Sequence, residues 1–316
     1  MNRLTKLTQG IDTFQRRHTI TGFVYAIIKK YSQDNCGYKS AVITYYGFLS
    51  LFPLLVVLTS LTKLLLKNNS SLREKIINNT VHYFPIVGNQ LQNSIRSPKE
   101  TGAALIISLI IMLYGARGVA STLQYSLSSL WYIPQFKMPA FIQNLLRSLG
   151  IIFVGGVGLL IASIVSGYAA IPGNALFIKL ITTAGSLLLL WLTFIFIFKL
   201  AIAGHKTIRQ VLVGSAITAI GLQILQTLGG FIMVHELKGL SSIYGTFALV
   251  VGLLFWIYLQ AEVLLYAAEV DVIRAYRLFP RSLVGHRTEA DKVAYRKQAE
   301  SKSQSVNEKI VINFQK

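Results

Sequence analysis

The chain has 316 residues, of which 53% are hydrophobic and 14% charged, too apolar a balance for an ordinary soluble domain of this size. Its formal net charge of +19 would suggest nucleic acid in a soluble protein, but the bases gather at the two ends and in short segments between apolar runs. That is the pattern expected beside an anionic cytoplasmic leaflet, and one cysteine, Cys36, excludes an intramolecular disulfide and a cysteine-based metal site.

The first 40 residues hold seven Lys/Arg and two Asp, without the apolar core of a cleavable signal peptide, so insertion is expected to be driven by the first true span. Between 11 and 34, Ile20, Phe23, Val24, Ile27, Ile28 and Tyr31 follow helical spacing, with Arg16, Arg17, Lys29 and Lys30 on other faces. This predicts an amphipathic helix, lying at the inner surface or packed on the protein's own cytoplasmic side.

The first span is expected over 41–66, kinked at Pro53, and a polar outer connection over 67–100 reads as an amphipathic segment broken by Pro85 and Gly88. The second span, about 102–126, carries Arg117 well inside it. The third, 145–171, repeats small residues at Gly158, Ala162, Ser166 and Ala170, a spacing that lets helices approach closely. The fourth, 177–200, is bulky and aromatic. The fifth, 211–234, holds several glycines and two amides, Gln223 and Gln226, which can bond across helices. The sixth is uncharged from Gly239 to Ala261 and then meets Glu262, Glu269 and Asp271, long enough for a helix of roughly 20 residues to cross a core of roughly 30 Å. Glu262 and Glu269 share a helix face, and a carboxylate at membrane depth is costly unless paired, hydrated or protonated. Glu262 is therefore a candidate functional residue, while Glu269 is placed at the headgroups. The end of the chain, from about Leu283, is charged, poor in aromatics and reads as disordered.

Several stretches resemble the YihY/BrkB family of bacterial inner-membrane proteins. They are the run Thr44-Tyr45-Tyr46 to Pro53, Arg117 after a small residue, Tyr244-Gly245, Trp256-x-Tyr258 and Ala267-Ala268-Glu269. Leu127-Ser128 stands where the family has Leu-Asn, and Ala268 where it usually has Gly. The resemblance covers roughly 20–280 and implies a membrane protein linked to export or flipping of lipid-type molecules. The family's old ribonuclease label finds no support in the residues, because the five histidines are scattered singly and no phosphate-binding loop occurs. No cofactor, metal or specific nucleic acid is expected.

The expected architecture is all-α and polytopic: a segment over 1–40, six spans within 41–275, and a basic cytoplasmic tail over 276–316. Both termini are placed in the cytoplasm of a bacterial inner membrane, because an even count puts the two most basic ends on one side. Partners are membrane lipids, with anionic headgroups at the basic ends. Two functions stay open, transport or flipping of a lipid-like anionic amphiphile and a non-catalytic envelope scaffold. Arg117 and Glu262 are expected at similar depth, paired or facing a hydrated vestibule with Tyr258, Gln226 and Gln223. Pro53, Tyr45, Tyr46, Gly158, Gly245 and Glu269 are expected to shape or gate it.

Overall fold

The computed structural model describes residues 10, 12–65, 102–169, 176–204, 206–232, 238–283 and 288–302. The expected outer segment over 67–100 lies outside them. Within the described residues the chain is helical and contains no strand. In chain order the helices are α1 (Thr19–Gln33), α2 (Cys36–Leu65), α3 (Gly102–Leu130), α4 (Phe141–Ala169), α5 (Leu176–Ala201), α6 (Ile208–Ile232), α7 (Lys238–Tyr276) and α8 (Glu289–Lys302).

Five of them, α3 to α7, are long and apolar enough to cross a membrane. The 26 residues of α5 reach about 39 Å at 1.5 Å per residue, more than the roughly 30 Å hydrocarbon core. The 30-residue α2 adds a sixth helix of sufficient length, and its backbone stays helical through Pro53. Consecutive helices pack on one another from α2 to α7, and α7 returns to pack on α2, so the six form a closed ring. Large apolar side chains such as Ile107, Phe153, Leu180 and Phe196 point outward from it and are exposed. In water these faces would drive aggregation, whereas lipid tails solvate them.

Small residues allow the closest approaches inside the ring. Gly158 of α4 lies against Thr193 of α5, and Gly118 of α3 lies under the Tyr46 ring of α2. On α6, Gly214, Gly221 and Gly229 face Asp271, Val263 and Trp256 of α7, and a Cβ on any of them would collide with that partner. Gly158 thus serves helix contact, as its spacing suggested, and the α6 glycines do the same.

The first and last described segments meet at one end of this ring. The Asp12 carboxylate accepts from the Leu283 amide (2.7 Å), and the Gln15 amide donates to the Arg281 carbonyl (2.6 Å). Lys29 of α1 reaches the Ser282 carbonyl (2.7 Å) and Asp291 of α8 (2.9 Å), and Arg281 pairs with the same carboxylate at 3.0 Å. The ends of α3 and α5 come to this side too, since Ser128 bonds both the Ala201 carbonyl and the Ala203 amide. An up-and-down ring of six helices follows, with residues 12–29 and 281–291 on the same face.

Two expectations need correction here. Residues 289–302 form helix rather than a disordered tail. Their start is a reciprocal capping box, with the Asp291 amide donating to Thr288 Oγ1 and the Thr288 amide donating to the Asp291 carboxylate, both at 3.2 Å. The N-terminal amphipathic helix is also divided, with helix over 12–17 and α1 beginning at Thr19 after a bend at His18. Phe23, Ile27 and Tyr31 of α1 pack on the core, whereas Ile20, Val24 and Ile28 face outward. Lys30, placed by spacing on a polar face, is only 1% exposed.

Candidate ligand-binding site at the end of the ring

The elbow between α1 and α2 sets the geometry. Asn35 takes a left-handed backbone (φ 52), which asparagine tolerates better than most residues, and α1 turns back into α2. At the elbow the Lys30 ammonium pairs with Asp34 and with Glu269 Oε2 (2.8 Å), and donates to the Leu130 carbonyl (3.1 Å). The Cys36 thiol donates to Glu269 Oε1 at 3.4 Å. Burial opposes the charge on Lys30, but the carboxylates of Glu269 and Asp34 outweigh it and hold the ammonium above its ordinary range. Glu269 therefore faces neither solvent nor lipid. It is fully buried, because α7 continues well past Glu262 and α1 packs across it.

About two helical turns back along α7, three phenols flank Glu262. From the point where a Cβ on Gly37 would stand, the Tyr258 hydroxyl is 3.5 Å away, the Tyr31 hydroxyl 3.7 Å and Glu262 Oε1 4.0 Å. Tyr31 stacks on Tyr266, with centroids 3.9 Å apart and planes 6° from parallel. Burial and then the Glu262 carboxylate push the Tyr31 phenol above its ordinary value, so it stays a proton donor.

The structure brings Tyr258 to Glu262 but not Arg117. The Arg117 guanidinium lies 5.0 Å from the centroid of the Phe141 ring at the start of α4. The face of α3 that carries Arg117 also carries Ser121 and Gln124, which bond Asn144 (3.4 Å) and Ser148 (2.8 Å) of α4. Glu262 points instead to the α1–α2 elbow, so the two residues make no ion pair, and the expected pairing is corrected. Gln223 and Gln226 are half-buried on α6, without a side-chain hydrogen bond to Arg117 or Glu262. Tyr45 is exposed and Tyr46 packs between it and Tyr114, with centroids 5.2 and 6.4 Å away. Gly245 lies in the helical backbone of α7.

A cavity of about 1240 Å³ lies beside the elbow, and none of the expected site residues lines it. Its walls are the elbow, the last turns of α3, the short turn after α3 and the end of α8. Thr122, Ser126 and Ser129 present hydroxyls along one face of α3 at i, i+4, i+7 spacing. Lys39 of α2 donates to Ser129 Oγ at 2.7 Å, and Ser129 donates to the Ser126 carbonyl at 2.8 Å. The Ser126 hydroxyl is buried and has no hydrogen-bond partner. Asp34 lines the cavity while its charge is engaged by Lys30. The sequence did hold signals for these residues: the hydroxyl repeat on α3 and Lys30-x-x-x-Asp34, an i, i+4 pair on a largely apolar helix.

The model of the family described as virulence factor BrkB matches residues 27–292. Among curated proteins, a UPF0761 membrane protein of Alcanivorax borkumensis is 25% identical over 84% of this chain. The match spans 62% of that relative's length. A UPF0761 membrane protein of Vibrio vulnificus is 25% identical over 92% of this chain and 96% of its own, and one of Vibrio campbellii is 26% identical over 85% and 84%. No solved structure matches.

Proposed function

Because the chain belongs to the virulence factor BrkB family and is an integral membrane protein, we propose that it moves a lipid-like anionic amphiphile between the leaflets of a bacterial cytoplasmic membrane. The observation that carries this reading is the cavity of about 1240 Å³ at the end of the ring that holds both termini. It combines hydroxyls and a lysine with an aromatic rim of Tyr38, Tyr125 and Phe136, a composition suited to a polar head on an apolar body. The chain supplies an excess of Lys/Arg at both of its ends, which supports a cytoplasmic location for the cavity.

Reconstitution in liposomes with fluorescent phospholipids tests the reading. Accelerated leaflet exchange for an anionic class, relative to protein-free vesicles, is the expected result, and no acceleration for any class would remove it. The outward apolar stripe of α1, with Ile20 80%, Val24 49% and Ile28 54% exposed, favours a second reading, a scaffold that docks other envelope proteins at the membrane surface. Reporter fusions after Lys137 and after Arg287 are expected to give the same cytoplasmic signal.

A further inference from the structure

We infer that the cavity beside the elbow is a binding site for the phosphate of an anionic phospholipid headgroup, held by Lys39 and Ser126 with Lys302 at the mouth. The inference deepens the transport reading and rests on it for a lipid rather than a soluble ligand.

The charge balance is the first argument. Lys39, Lys302 and Asp34 are the charged residues of the lining, and the carboxylate of Asp34 is already engaged by Lys30. The cavity therefore presents net positive charge. Lys39 has a fixed position, because Ser129 Oγ accepts from its ammonium at 2.7 Å, and an ammonium so held keeps further donors for a ligand.

The second argument is the Ser126 hydroxyl, which lines the cavity, is 0% exposed and has no partner. A buried hydroxyl without a partner is costly, of order 1–3 kcal/mol, and a phosphoryl oxygen would accept its proton once the side chains that cover Ser126 give way. Charge-assisted bonds from Lys39 would complete the contact. The third argument is the rim: Tyr38 is 74%, Tyr125 46% and Phe136 40% exposed, and aromatic rings of this kind settle at the headgroup level, where acyl chains would leave the cavity for the bilayer. A volume of about 1240 Å³ exceeds the roughly 300–1,000 Å³ of ordinary ligand pockets, room enough for a headgroup and the upper part of its chains.

The test uses the full chain in nanodiscs of phosphatidylcholine containing a small fraction of phosphatidylglycerol with a photoactivatable acyl chain. Cross-links are expected on peptides covering 33–42 and 121–138. Lys39→Gln combined with Ser126→Ala should lower their yield roughly tenfold, the scale of a lost charge-assisted contact, while Lys39→Arg keeps most of it and Lys179→Gln, away from the cavity, changes nothing. If Lys39→Gln lowers the melting temperature, Lys302→Gln at an exposed position should still cut the yield several-fold. Unchanged yields in both variants overturn the site. Protection by millimolar glycerol phosphate as strong as that by unlabelled lipid overturns the lipid assignment. Cross-linking is a binding readout, so labelling without leaflet exchange would leave the site standing and remove transport. Exchange that survives loss of labelling in the Lys39→Gln, Ser126→Ala variant would keep transport and overturn a part for this site in it.

Discussion

Lys30 of α1 and Glu269 of α7 face each other at 2.8 Å, with 1% and 0% of their side chains exposed. This contact ties the surface-side helix to the last helix of the ring, and Asp34 shares the same ammonium. Two carboxylates on one lysine make the three groups unequal on mutation.

Removing the lysine leaves the buried Glu269 and the partly buried Asp34 carboxylates without their shared cation. Lys30→Met is therefore expected to destabilise the folded protein by about 3–5 kcal/mol, the range for breaking a buried pair from one side. Glu269→Gln leaves Lys30 with Asp34 and should cost less. Thermal melts in detergent compare the two directly, and equal losses would contradict the shared-ammonium arrangement.

Arg117 and Glu262 should behave independently. The guanidinium rests on Phe141 while the carboxylate faces Tyr31 and Tyr258, so a double-mutant cycle of Arg117→Gln and Glu262→Gln is expected to add within about 0.5 kcal/mol. The cycle of Glu262→Gln with Tyr31→Phe should instead show coupling above that level. Rescue of Arg117→Glu by Glu262→Arg would establish the pair that the structure does not show.

The fastening of α8 should respond to acid in a defined direction. Burial alone would raise the Asp291 carboxyl, but the Ser282 amide, Lys29 and Arg281 outweigh it and hold it at about 2. Because the folded value is depressed, the stabilisation is fully present above about pH 4, the ordinary aspartate range, and is lost as the pH falls through about 2. Protease cleavage within 288–302 is expected to rise across that window. Asp291→Asn, which strips Arg281 and Lys29 of their anion, should expose the segment already at neutral pH and flatten the profile.

Hydropathy made the six helices legible because each is an apolar run bounded by charge, and the bounds of α5 differ from the reading by one residue at either end. The end of α7 at Tyr276 lies one residue past the expected limit of the spans at 275, although hydropathy alone would have stopped it earlier. The uncharged run stops at Ala261, whereas the helix continues to Tyr276, since Glu269 and Asp271 find buried partners in Lys30 and the Gly214 amide (2.7 Å). Spacing places a residue on a face but does not say which element will cover that face. That is why the burial of Glu269 and Lys30 was not expected. Arg117 misled for a related reason, because its partner Phe141 begins α4 four residues before the expected start of that span. The tail was misread on composition, although Thr288-x-x-Asp291 carries a helix start in its own right.

The contact between the two ends of the chain also sets the order of its assembly. Asp12 and the segment it binds are separated by 270 positions, from Asp12 to Ser282. At roughly 5–20 residues per second, the ribosome delivers the first of these partners on the order of tens of seconds before the second. During that interval Asp12, Gln15 and Lys29 lack these partners. The clasp of Asp12, Gln15 and Lys29 on 281–291 thus cannot form until the last helix of the ring has been made, and chains halted before Arg281 lack it.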